Sequence, residues 1–155
     1  MVEVGDKAPG FDLADASMNM VSLRDFLGRK NVVLYFYPRD GSPACVRQGI
    51  DFSDLEDEFN RHETIVFGVS LDDCISHASF RDKHGLTVNL LADPEGEVCR
   101  KYGVVQDKEM DGLRRTSVNR LTFIIDKQGT LKHVLQVASP KGHAEEVLKL
   151  IKRDE

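Results

Sequence analysis

The run Asn31-Val32-Val33-Leu34-Tyr35-Phe36 leads directly into Tyr37-Pro38-Arg39-Asp40-Gly41-Ser42-Pro43-Ala44-Cys45. β-Branched and aromatic residues fill the first part, which predicts a buried strand. The second part ends in helix-start signals. Ser42 suits an N-cap, and Pro43 suits the first helical position, where its missing N–H would have had no partner. The apolar pattern Cys45, Gly49, Phe52, Phe59 predicts a helix over about 43–60 with the thiol on its inward edge. Cys45 therefore falls in a first helical turn, where free N–H groups and the helix dipole favour an anion. The thiolate is the nucleophilic form of cysteine, and Arg39 and Arg47 lie close by in sequence.

The rest of the composition narrows the class. With 155 residues, 41% hydrophobic and 30% charged, the chain is expected to form one globular domain over 1–155. A net charge of −5 argues against nucleic acid as a partner, because phosphate binding needs a basic surface. No apolar run approaches the roughly 20 residues of a membrane span. The start Met1-Val2-Glu3-Val4-Gly5-Asp6 lacks the features of a signal peptide, so a reducing, cytoplasmic setting is expected. The three cysteines, Cys45, Cys74 and Cys99, form no C-x-x-C. That removes the dithiol motif of thiol–disulfide reductases and the common zinc spacings. Among the five histidines only His77 and His84 could share a helix face, and no metal or other cofactor is expected.

Further elements follow in order. Short segments around Phe11–Leu13 and Val21–Phe26 open the chain. Thr64–Ser70 reads as a second buried strand, followed by a helix over 74–84 capped by Asp72 or Asp73. Leu90–Ala92 reads as a short strand, Pro94–Tyr102 as a short helix, and Gln106–Gly112 as a surface loop. Leu121–Ile125 and Leu131–Val137 read as a hairpin, and a helix over 142–153 closes the chain. Strand–helix–strand–helix followed by a hairpin predicts an α/β, thioredoxin-like sandwich with a mixed central β-sheet flanked by helices. Ligands in such sheets bind beyond the carboxyl ends of the parallel strands, which is where Cys45 and Cys74 fall.

Pro38-x-x-x-Ser42-x-x-Cys45 resembles the P-x-x-x-(T/S)-x-x-C signature of peroxiredoxins. Arg120, ahead of Leu121-Thr122-Phe123-Ile124-Ile125, stands where that family carries a distant arginine. Arg114 and Arg115 are the nearby alternatives. The segments Val4–Phe11, Phe36-Tyr37-Pro38, Gly68-Val69-Ser70, Ser76-His77, Leu91–Pro94 and Gly142–Leu148 resemble the bacterioferritin comigratory protein, or PrxQ, subgroup. The resemblance covers essentially the whole chain. It implies a thiol peroxidase in which Cys45 attacks a hydroperoxide and becomes a sulfenic acid. Arg120 would hold the thiolate and the peroxide oxygens, Ser42 would orient them, and Pro38 would shield the sulfur from water. A hydroperoxide substrate, a thiol reductant (thioredoxin, glutaredoxin or a small thiol) and a monomeric or weakly dimeric state are implied as well.

The chain departs from the subgroup where a second, resolving cysteine is usual. Ile50 and Arg81 occupy those two positions. Recycling then falls to an external thiol, to Cys74 after partial unwinding of the Cys45 helix, to Cys99, or to an intermolecular disulfide. A peroxide-sensing switch or holdase without sustained turnover is the rival reading.

Overall fold

The computed structural model describes residues 2–155. A seven-stranded sheet forms its centre, in the order β2-β1-β5-β4-β3-β8-β9. Here β1 is Asp12–Asp15, β2 Met20–Ser22, β3 Asn31–Phe36, β4 Thr64–Ser70, β5 Asn89–Ala92, β8 Leu121–Ile125 and β9 Leu131–Gln136. Strands β3, β4 and β5 run parallel, while β1, β8 and β9 join antiparallel, so the sheet is mixed as expected.

Alternation along β3 splits its side chains between two cores. Val32, Leu34 and Phe36 enter a cluster with Phe67, Tyr102 and Phe123. Val33, Tyr35 and, just beyond the strand, Tyr37 enter the opposite cluster with Cys45, Phe52, Phe80 and Ile151. Both faces of β3 are thus covered, which is why its sequence reads as a continuous apolar run. Helices α1 (Pro43–Asp54), α3 (Cys74–His84) and α5 (His143–Arg153) supply the second cluster, and α4 (Glu97–Lys101) the first. Full burial of a side chain such as Phe52 contributes on the order of 1.5–3 kcal/mol.

The predicted 43–60 helix is two helices. It breaks at Leu55, which ends α1 and precedes α2 (Glu56–Arg61). The Ser53 hydroxyl accepts from the N–H groups of Thr87 and Val88, both at 3.0 Å, so a tertiary contact is made at the break. Asp73, not Asp72, caps α3, accepting from Ser76 N–H at 2.8 Å, and Gly85 ends it at φ +63°. The expected loop 106–112 is instead part of a two-stranded ribbon of β6 (Val105–Met110) and β7 (Leu113–Val118). Most of its side chains are exposed on both faces, so it carries no apolar alternation to announce a strand. Among the described residues no helix is long and apolar enough to cross a membrane.

Candidate active site

The end of β3 and the start of α1 place Cys45. Ser42 holds an extended backbone (φ −69°, ψ 148°), and its Oγ accepts from Cys45 N–H at 3.4 Å. Its hydroxyl hydrogen remains free to donate to a second group. Cys45 is 2% exposed and packs in the cluster that holds Tyr35, Tyr37 and Phe52. Tyr35 stacks on Phe52 at 4.6 Å and on Tyr37 at 5.6 Å. Room for the Tyr35 hydroxyl exists only because residue 68 is glycine: a Cβ there would sit 2.7 Å from that oxygen. Burial pushes the Tyr35 phenol far up, so it stays a neutral hydroxyl.

Arg120 enters from the chain just ahead of β8. Its Nη2 points at Cys45 Sγ at 3.5 Å, and its Nη1 donates to Gln48 Oε1 at 2.6 Å. Arg114 and Arg115 lie on the exposed ribbon. Of the three candidate arginines, Arg120 is thus the one the fold brings to the thiol. Sulfur, guanidinium and the first turn of α1 form a site suited to negative charge.

Gln48 went unnoticed in the sequence. It is 1% exposed, and its Nε2 has no hydrogen-bond partner. Arg120 can only donate, so the amide orientation is fixed with its oxygen toward the guanidinium. The one available signal was its spacing: Cys45 and Gln48 stand three apart and share a helix face.

Other singled-out residues fall into different places. Pro38 is exposed just past β3. Arg39 is exposed, and Arg47 pairs with Asp51 at 3.2 Å along α1. Cys74 is the half-buried first residue of α3. Cys99 is fully buried in α4, and burial, with Asp93 beside it, pushes its thiol far up. The three cysteines are free.

A polar cluster joins the loop before α1 to α3. Asp40 accepts from Tyr37 OH at 2.7 Å, Ser76 Oγ at 2.8 Å and His77 Nδ1 at 2.8 Å. Asp40, Asp72 and His77 are the one group of three potential metal ligands among the described residues. Their donor atoms are already engaged in hydrogen bonds to one another and to Ser70 and Leu91.

The thiol and the guanidinium thus lie together at the end of a parallel strand of a thioredoxin-like sheet. Residues 4–134 match the AhpC/TSA family. The chain is 35% identical over 151 residues to the peroxiredoxin Bcp of Bacillus subtilis, covering 97% of this chain and 96% of that one. The PrxQ structure of Xylella fastidiosa superposes with a TM-score of 0.91 at 30% identity, covering 99% and 98% of the two chains. The bacterioferritin comigratory protein of Xanthomonas campestris gives a TM-score of 0.86 at 30% identity, over 93% and 91%. The chain belongs to the AhpC/TSA family, among its Bcp/PrxQ peroxiredoxins.

Proposed function

We propose that this peroxiredoxin reduces hydrogen peroxide and small organic hydroperoxides through Cys45. The observation that carries the reading is the Arg120 guanidinium 3.5 Å from a buried thiol at a helix N-terminus. The Cys45 thiolate attacks one peroxide oxygen, an S–O bond forms and the O–O bond breaks. The departing oxygen leaves as water or alcohol after taking a proton, and Arg120 offsets the charge that builds on it. Ser42, with its hydrogen free, orients the thiolate and the peroxide. Pro38, exposed just past β3, would shield the sulfur only with substrate in place. The Xanthomonas campestris relative is described by its alkyl peroxide reduction activity, which supports organic hydroperoxides as substrates.

The sulfenic acid is then reduced by a thiol, water leaving as a disulfide forms, and a second thiol restores Cys45. Thioredoxin, glutaredoxin or a small thiol serves as the reductant. Cys74, half-buried at its own helix start, is the candidate for an internal first step, whereas Cys99 lies sealed in the core. Steady peroxide consumption with dithiothreitol or thioredoxin, lost in Cys45→Ser, is the expected result. One stoichiometric oxidation without turnover would favour a peroxide-sensing switch instead.

A further inference from the structure

We propose that Asp40 and His77 are positioning residues that set the pace of recycling by tying the turn that carries Cys45 to the turn that carries Cys74. The proposal rests on the peroxidase reading above and concerns its second half.

Asp40 lies in the segment between β3 and α1, five residues before Cys45. Its carboxylate takes three hydrogen bonds, from Tyr37, Ser76 and His77. Its own N–H donates to Asp72 Oδ2 at 2.8 Å, and that oxygen also accepts from Ser70 Oγ at 2.7 Å. The chain leading into α1 is therefore fastened to the end of β4 and to the first turn of α3. None of these bonds reaches Cys45, Ser42, Gln48 or Arg120.

His77 is held through both of its ring nitrogens. Nε2 lies 2.9 Å from the Leu91 carbonyl oxygen, which can only accept, so Nε2 carries a hydrogen. Nδ1 lies 2.8 Å from Asp40 Oδ2. Tyr37 and Ser76 already donate to that carboxylate, which favours its ionised form. Burial alone would raise the Asp40 pKa, but the hydrogen bonds and charge of His77 outweigh it and hold the carboxyl below its ordinary value. His77 thus bridges the Leu91 carbonyl and the Asp40 carboxylate through its two ring nitrogens. The two side chains are 0% and 7% exposed. A buried pair of this kind is costly to break from one side, because the remaining charge is left without a partner.

The two halves of the reaction make different demands on this fastening. Hydrogen peroxide is small enough to approach a thiol that is 2% exposed. A thiol carried on a protein backbone is not. A disulfide needs Cα atoms within about 7 Å and access to the oxidised sulfur. Opening the segment before Cys45 pulls Asp40 away from His77 and Ser76. The latch thus opposes recycling and leaves peroxide attack alone.

The test separates the two steps in single turnovers. Sulfenate formation with hydrogen peroxide is followed by stopped flow. Its removal is followed with thioredoxin, and Cys45–Cys74 disulfide formation by mass spectrometry. For Asp40→Asn, sulfenate formation should stay within about threefold of wild type while sulfenate removal accelerates by about tenfold, the scale of losing a charged hydrogen bond. Ser76→Ala removes one bond without breaking the Asp40–His77 contact and should accelerate removal by about threefold. Backbone N–H groups of residues 40–47 should exchange hydrogen faster in both variants, with β3 and α5 unchanged. Recycling that is unchanged or slowed, or both steps altered equally, would overturn the proposal. Should Asp40→Asn fail to fold, Ser76→Ala decides alone. A wild-type Cys45 that peroxide never oxidises would instead sink the peroxidase reading, and the proposal with it.

Discussion

The amide oxygen of Gln48 accepts a 2.6 Å hydrogen bond from Arg120 Nη1, fixing the guanidinium whose other arm faces Cys45. The two residues are 72 positions apart in the chain. A hydrogen bond to a charged group contributes about 1.5–3 kcal/mol, enough to hold one rotamer of a long side chain. Gln48→Leu should therefore slow sulfenate formation by about tenfold or more. It also leaves Arg120 Nη1 without that acceptor, so the urea midpoint should fall, offset in part by removal of the unpartnered Gln48 Nε2. Loss of stability without loss of rate would contradict this assignment.

Arg120→Lys keeps the charge and loses the fork that serves Gln48 and Cys45 at once. A fall of about 10–100-fold in kcat/KM for hydrogen peroxide is expected. Arg114→Ala and Arg115→Ala, on the exposed ribbon, should leave that constant within about twofold. Competition kinetics for peroxide would show the contrast.

Thiol labelling of the folded, reduced protein should distinguish Cys74 from Cys99. Cys74 is half-buried at a helix start, whereas Cys99 is fully buried with its thiol pushed up by burial and by Asp93. Iodoacetamide should modify Cys74 at least about a hundredfold faster than Cys99, which waits on unfolding. Equal rates for the two, read by peptide mass spectrometry, would count against the placement of α4.

Stability should depend on pH through His143. Burial lowers its pKa, with Glu146 opposing weakly, and Nε2 lies 2.8 Å from Thr122 Oγ1. A depressed folded-state value means that the unfolded chain binds the proton first as pH falls. The contribution of His143 is thus fully present above about pH 6.5 and is lost as pH drops through the lower folded-state value. Urea unfolding at pH 7.5 and 5.5 should show a smaller loss on acidification in His143→Gln than in wild type. Asp40, also depressed, adds a second loss that begins only below about pH 4.

Elements with a strong local signal were legible. The apolar runs of β3 and β4, the Ser42-Pro43 start of α1 and the extent of α3 each follow from chemistry within a few residues, whereas the choice of Asp73 over Asp72 as the α3 cap was left open. The ribbon of β6 and β7 was not, because side chains exposed on both faces leave no period to read. Nor was the break at Leu55, which coincides with a contact from Thr87 and Val88.

The sequence by itself determined where a cysteine would meet free backbone N–H groups, since a strand, a cap and a proline set that junction locally. Only the tertiary structure decided what surrounds the sulfur. Arg120 was a matter of motif and chain position until the β3–β8 pairing brought its segment beside α1. Gln48 then became its partner, and Asp40 met His77 across 37 residues. Such contacts depend on which strands lie side by side, and strand order is settled by packing the whole sheet rather than by any short stretch of chain.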